Sequence, residues 1–169
     1  MINISQDEFA GFVHENQHKF YRLAYSYVKN RDEALDLVQE AVVRALQKLS
    51  ALRQPEYMKT WFYRILVNEC LMYLRKRKIV NLPYEDELLP ESVSTDLSSL
   101  EMLSCIEKLE PKLKTVVFLR FYEDMKLEEI ANVTETNLST VKSRLYRALK
   151  LLRLEIFGEE ESYLEKFKR

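Results

Sequence analysis

The 169-residue chain is poor in the residues that punctuate most folds: two glycines (Gly11 and Gly158), four prolines, two cysteines and two histidines. A phosphate-binding loop or dinucleotide fingerprint needs several glycines within a few residues, so that backbone can approach phosphate, and none of that kind is present. Tight two-residue hairpins favour glycine for its positive φ, which argues against a β-meander or sandwich. No stretch approaches the roughly 20 apolar residues of a membrane span. The opening Met1-Ile2-Asn3-Ile4-Ser5-Gln6-Asp7-Glu8 lacks the basic start and apolar run of a signal peptide. Cys70 and Cys105 lie inside apolar helical patterns with no nearby second ligand, and read as reduced, packed thiols. A cytoplasmic, mostly helical protein is expected.

Hydrophobic residues make up 47% and charged residues 31% of the chain, a globular balance. The 26 Lys and Arg nearly cancel the 27 Asp and Glu, leaving a formal charge of −1. As an average this argues against nucleic acid, whose ligands are often basic overall. The distribution argues the other way. Cations concentrate at residues 64–78 and 142–153, and the compensating acids at residues 85–101 and at Glu159, Glu160 and Glu161.

Apolar residues recur at helical spacing in two blocks. In residues 5–78, Phe9, Phe12, Val13, Phe20, Leu23, Ala24, Tyr27 and Val28 predict one amphipathic helix. Asp32 is placed to cap a second that carries Ala34, Leu35, Val38, Val42, Ala45, Leu46 and Leu49. Pro55 marks a loop, and Thr60 is placed to cap a third helix through Trp61, Ile65, Leu66, Met72 and Leu74. Residues 79–96 hold Pro83, Pro90, several serines and acids but no Lys or Arg, which predicts a flexible acidic linker. Residues 97–157 form the second block, with a helix ended by Pro111 and three more after it, and residues 158–169 form a charged tail. The expected fold is therefore all-α, two small helical domains each with a small core of its own.

The second block carries the most informative spacing. A very short helix (Leu127, Ile130, Ala131), a break near residues 133–136 and a longer helix capped by Asn137 describe a helix-turn-helix. At about 100° per residue, Val141, Leu145, Ala148 and Leu152 share a buried stripe, opposite Ser143, Arg144, Arg147 and Lys150. Residues 136–154 hold five cations and no acid. A lone basic helix is most often just solvated, but one apolar face, one cationic face and a short preceding helix suit a major groove. Glu135 stands at a turn position where glycine is common.

In the first block, Trp61, Arg64, Asn68, Met72 and Arg75 fall in one arc of the third helix. An aromatic, an amide and two guanidinium groups on one stripe can stack bases, bond their edges and follow a backbone. Asp36, Gln39 and Glu40 make an acidic-amide patch on the preceding helix, suited to a basic partner helix. His14-Glu15-Asn16-Gln17-His18 fits the zinc-protease spacing, but a catalytic zinc needs a third ligand and a walled cleft, and these are the only histidines. No metal, cofactor or small-molecule substrate is expected, and the segment reads as a solvated helix face.

Together these residues resemble the extracytoplasmic-function (ECF) group of the bacterial sigma-70 family, over roughly residues 8–156. Phe20-Tyr21-Arg22-Leu23-Ala24, Asp36-Leu37-Val38-Gln39-Glu40 and Thr60-Trp61-Phe62-Tyr63-Arg64-Ile65 look like the family's region 2. Leu109-Glu110-Pro111, Leu119-Arg120-Phe121-Tyr122, Glu129-Ile130-Ala131 and Thr140-Val141-Lys142-Ser143-Arg144-Leu145 look like its region 4. The resemblance implies an alternative sigma factor, not an enzyme by itself, that directs core RNA polymerase to the promoters of a stress- or envelope-type regulon. Asp36, Gln39 and Glu40 would meet the β′ clamp helices, while Trp61, Arg64, Asn68 and Arg75 would engage the −10 element. The second domain would sit on the β flap and read the −35 element with Asn137, Ser139, Lys142, Ser143, Arg144 and Arg147. The family commonly adds an anti-sigma factor, often membrane-anchored. The rival expectation is a free-standing helix-turn-helix regulator binding operator DNA through residues 97–157.

Overall fold

The computed structural model describes residues 3–80 and 97–158, which are helical with no strand among them. The first block contains α1 (Gln6–Val28), α2 (Arg31–Lys48) and α3 (Met58–Val80), with short 3₁₀ turns at Leu49–Ala51 and Pro55–Tyr57. The second contains α4 (Leu97–Glu107), α5 (Pro111–Phe121), α6 (Leu127–Thr134) and α7 (Leu138–Phe157). The proposed linker lies outside the described residues from 81 to 96, and the tail from 159. No helix among the described residues is long and apolar enough to cross a membrane.

Local chemistry sets the helix ends. Ser5 Oγ accepts from the Glu8 amide at 3.1 Å and the Glu8 carboxylate accepts from the Ser5 amide at 2.7 Å, a reciprocal cap for α1. Lys29 then turns left-handed (φ 51°), and Asn30, not Asp32, caps α2 by accepting from the Glu33 amide at 3.0 Å. The amide oxygen of Asn30 reaches the third helical residue, which places Asp32 in the first turn. Thr60 likewise falls inside α3, because the 3₁₀ turn opened by Pro55 runs straight into Met58. α3 continues to Val80, two residues beyond the expected boundary at Lys78. Pro111 opens α5 rather than closing α4, since proline's fixed φ and missing N–H cost nothing at a first helical position.

The first core is aromatic. Phe20 lies 4.5 Å from Phe62 and Phe9 5.8 Å from Phe62, between ring centroids, so α1 is packed tightly on α3. Against them α2 turns Ala34, Leu37, Ala41 and Ala45 inward. Its Leu35 and Leu46, expected in the core, are exposed. Three small residues on the buried face let the helices approach closely, which leaves no room for those leucines to fold under.

The expectation of a separate core for each block is not met. A small cluster of Ile106, Leu109, Leu113, Val117, Ala148 and Leu152 belongs to the second block alone. Val116, Phe118, Leu119, Met125, Ile130, Val133 and Val141, however, are continuous with the core of the first block. α6 packs directly on α3. The reason is α5, which is buried on every side from Leu113 to Leu119, Lys114 and Thr115 included.

Polar groups follow the apolar ones into this junction. The Tyr27 hydroxyl bonds the Thr115 hydroxyl, and Lys114 Nζ donates to the Ser26 carbonyl at 2.7 Å, both buried. Lys59 Nζ donates to the Glu123 carbonyl at 2.8 Å, and Lys29 lies 3.9 Å from Glu107. The Arg22 guanidinium sits 6.0 Å from the Tyr122 ring centroid.

Burial, aided by the Lys29 ammonium and partly offset by Glu107, pulls the pKa of Lys114 from 10.5 down to about 8. Between those values the folded chain releases a proton that the unfolded chain keeps. Stability should therefore rise with pH across this window, by at most about 1.4 kcal/mol per pH unit. Urea denaturation at intervals from pH 7.5 to 9.5 should show that rise, flattened in Lys114→Met; equal slopes in both proteins would refute it.

Candidate nucleic-acid interface

The helix-turn-helix is built by caps and one left-handed residue. The Glu129 carboxylate accepts from the Lys126 amide at 2.7 Å at the start of α6. Glu135 ends that helix at φ 53° and ψ 40°, the left-handed conformation that favours glycine, and the Thr136 amide donates back to the Ala131 carbonyl at 3.1 Å. Asn137 then caps α7 by accepting from the Thr140 amide at 2.8 Å. Its Oδ1 is thus already engaged in holding the helix start, while the side chain stays exposed.

On α7, Val141, Ala148 and Leu152 are buried and Leu145 is half-buried, so the opposite face is fixed outward. Ser139, Lys142, Ser143, Arg147, Lys150 and Arg153 are exposed, whereas Arg144 is half-buried at the edge of the apolar stripe. Tyr146 was not among the expected site residues. It stands 74% exposed among the cations, between Lys142 and Lys150 on the wheel and well away from the buried stripe. Its position on that wheel was the available signal, since an aromatic set outside the buried stripe has no core to enter.

α3 is enclosed on two sides. Phe62 and Leu66 are buried towards α1 and α2. Lys59 and Tyr63 lie against Glu123, and Cys70 lies beside Tyr27, on the side facing the second block. What remains free is a narrow arc containing Asn68 and Arg75, both exposed, with Trp61 and Arg64 half-buried at its margins. Trp61 packs edge-on to Phe9 with centroids 6.2 Å apart. Arg64 Nε is buried and has no hydrogen-bond partner among the described residues, while Arg75 Nε reaches the Leu71 carbonyl at 3.4 Å. Of the cations ending α3, Arg77 is committed to Glu33 at 2.6 Å; Lys76 and Lys78 are exposed.

The third patch is on α2. Asp36, Gln39 and Glu40 are all exposed. Glu40 lies 3.4 Å from Arg44 Nε, and the same guanidinium is ion-paired with the buried Glu69 of α3. Beside them Leu35, Val43 and Leu46 present apolar surface that the sequence pattern assigned in part to the core. A groove of about 260 Å³ between α1 and α2, lined by Val13, His14, Gln17, Val42 and Leu46, adjoins this face. His14 and His18 are exposed on α1, and no group of three metal-ligating side chains occurs among the described residues.

Two family models match the chain. The sigma-70 region 2 family model covers residues 12–79, and the sigma-70 region 4 model covers residues 99–152. The chain is 43% identical over 152 residues to the RNA polymerase sigma factor SigV of Bacillus subtilis, covering 89% of this chain and 92% of that one. It is 30% identical over 171 residues to the ECF RNA polymerase sigma factor SigW of the same organism, covering 89% and 90%. Its fold is shared with the sigma factor RpoE of Bartonella quintana, solved with the anti-sigma factor NepR, at a TM-score of 0.75 and 22% identity over 90% of this chain and 99% of that one.

Two helical modules in the order of regions 2 and 4 define a promoter-recognition subunit of RNA polymerase. The chain belongs to the sigma-70 family, in its extracytoplasmic-function group, and is an alternative sigma factor. A free-standing regulator built on the second block alone would leave the region 2 match without a role.

The Arg44 bridge yields a stability prediction. Removing it leaves the Glu69 carboxylate buried without its cation, while the half-exposed arginine itself loses little. Arg44→Ala should cost about 2 kcal/mol in urea denaturation, and Glu40→Gln much less; equal losses would mean that the outer carboxylate carries the bridge.

Proposed function

We propose that the three surfaces divide the work of initiation. Asp36, Gln39 and Glu40, with the apolar shoulder of Leu35, Val43 and Leu46, dock on the β′ clamp helices of core RNA polymerase. The arc of Trp61, Arg64, Asn68 and Arg75 on α3 engages the −10 element. Ser139, Lys142, Ser143 and Arg147 on α7, with Asn137 at its start and Arg144 at its margin, read the −35 element while the second block rests on the β flap. The observation that carries this reading is that two separate helices each keep a polar, cation-bearing face in solvent, fixed there by an apolar stripe that is buried.

The physical division is familiar from protein–DNA contacts. Cations position the protein on phosphates, while serine, asparagine and the planar guanidinium groups bond base edges. On α3 the half-buried Trp61 offers an aromatic face, and stacking of an unpaired base on such a face contributes roughly 1–3 kcal/mol, enough to offset part of the cost of unpairing. Each reader alone is weak; joined through polymerase, the second contact becomes effectively intramolecular. The factor acts in the cytoplasm as a binding subunit and performs no chemistry of its own. An anti-sigma factor, of the kind solved with the Bartonella protein, is the expected inhibitor, and the exposed apolar shoulder of α2 is a surface it would cover.

Pull-down with core polymerase followed by run-off transcription tests the assignment. Asp36→Arg combined with Gln39→Ala should abolish stoichiometric co-purification while leaving the thermal transition unchanged; retained binding would move the docking surface elsewhere. Lys142→Ala with Arg147→Ala should reduce transcription roughly tenfold or more on promoters with a consensus −35 element. An undiminished signal on those promoters would remove α7 from the reading role.

A further inference from the structure

We infer that His14 and His18, the only histidines of the chain, form an open binding site on the solvent face of α1 for a divalent ion of the late first-row metals, Cu²⁺, Ni²⁺ or Zn²⁺. The site is separate from the DNA-reading surfaces and does not depend on their assignment.

The helix sets the pair. At about 100° per residue, His18 stands directly opposite the buried Phe9, and His14 lies about 40° to one side of it. Both are exposed. Residues four apart on a helix hold their Cβ atoms about 5–6 Å from each other. Two imidazoles can close that gap on one ion, because metal–nitrogen bonds of about 2.0–2.1 Å bring the two nitrogens to about 3 Å. Neither ring hydrogen-bonds or ion-pairs among the described residues, so no partner has to be displaced before it turns to an ion.

A second feature clears the approach. Helical side chains lean towards the turn N-terminal to their own Cα, so the His18 ring leans towards His14 and the His14 ring overlies Ala10 and Gly11. Gly11 sits well inside a 23-residue helix, where glycine is a poor helix former. Its backbone does not have the positive φ that would call for glycine, and a Cβ added there would meet nothing within 4 Å. Neither conformation nor packing therefore requires this glycine. What it provides is bare surface beneath the His14 ring, and the exposed Ala10 beside it is almost as short.

The surrounding charges accept a dication. Asp7 and Glu15 are exposed on the same side of α1, Lys19 is half-buried, and the Arg22 guanidinium is drawn to the Tyr122 ring. Val42 and Leu46 form the α2 wall of the groove beside His14 and bring no charge.

The donor set fixes the class of ion. Imidazole suits Cu²⁺, Ni²⁺ and Zn²⁺, whereas Mg²⁺ and Ca²⁺ take oxygen ligands. A hydrolytic zinc would need a third protein ligand, and no group of three occurs among the described residues. With two ligands from the protein, the ion keeps water in its other positions and exchanges readily, unlike the closed four-ligand sites that hold folds together. Affinity should be highest for Cu²⁺, with Ni²⁺ and Zn²⁺ below it. The unfolded chain does not hold the rings together, so an ion bound here stabilises the helix that it spans.

The test uses the full chain without a histidine tag, stripped of metal by a chelator. Substoichiometric Cu²⁺ should broaden the ring resonances of both histidines together, before signals near the half-buried Cys105 or the amino terminus. Calorimetric titration with Ni²⁺ should show one site per chain, weakened roughly tenfold or more by either His14→Ala or His18→Ala and much less by Glu15→Gln. Both alanine variants should keep the wild-type helical circular dichroism, since alanine is the best helix former at an exposed position. Gly11→His, which sets a third imidazole on the cleared turn, should tighten Ni²⁺ binding. Saturating Ni²⁺ should raise the thermal transition of the wild type and leave that of His18→Ala in place. Ni²⁺ binding that survives both alanine substitutions, broadening of only one ring by Cu²⁺, or no gain from Gly11→His would overturn the inference.

Discussion

Everything in this protein depends on α3 being packed on two sides at once. One side holds Phe62 and Leu66 against the aromatic core of α1 and the alanine face of α2. Another holds Lys59 and Tyr63 against Glu123 of the second block. A helix buried that way loses its rotational freedom, and the arc left to solvent is decided by packing rather than by the residues in it. Asn68 and Arg75 need no partners of their own to be aimed outward, because the apolar side chains around them have nowhere else to go. The burial of Tyr63 next to the Glu123 carboxylate raises the pKa of its phenol and keeps it protonated. This side of the helix therefore carries no tyrosinate charge into the junction.

The same logic governs α7, with a different balance. Its buried stripe is narrow, since Val141, Ala148 and Leu152 alone are fully covered. Most of the circumference is free, which suits a helix that must enter a groove. α2 stands between the two. Small side chains let it lie close to its neighbours, and the leucines and valine displaced from the core become a surface instead. The Arg44 bridge links that surface to the reading helix, because one guanidinium holds Glu40 on the outside and Glu69 on α3 within.

How much of this was legible in the sequence follows from which features are local. Helix number, the all-α class and the helix-turn-helix came from periodicity, and periodicity is a property of neighbouring residues. The Asn137 cap was legible because capping needs a short polar side chain before an apolar run. Asn30 and Asp32 compete for the same role two positions apart, and only backbone geometry separates them. Leu35 and Leu46 were misassigned because a hydrophobic residue at helical spacing can face either a core or a partner. The junction of the blocks was invisible for a deeper reason. Lys114 and Thr115 look like surface residues, and nothing in their neighbourhood announces that α5 will be enclosed from both sides by elements up to 88 positions away. Where each reading residue points was partly legible from the wheel, but the half-burial of Arg144 and Arg64 depends on that same long-range packing.

Cys70 gains an unforeseen use from its place in this arrangement. It is fully buried beside Tyr27, where burial pushes its thiol well above the usual range, while Cys105 is only half-buried. Burial thus disfavours the thiolate needed for alkylation in the folded molecule, and steric access is denied as well. Any labelling of Cys70 by a soluble reagent must pass through an excursion that uncovers this part of α3. The chain thus carries its own clock: the slow phase of thiol modification bounds the frequency with which the native molecule breathes at its centre.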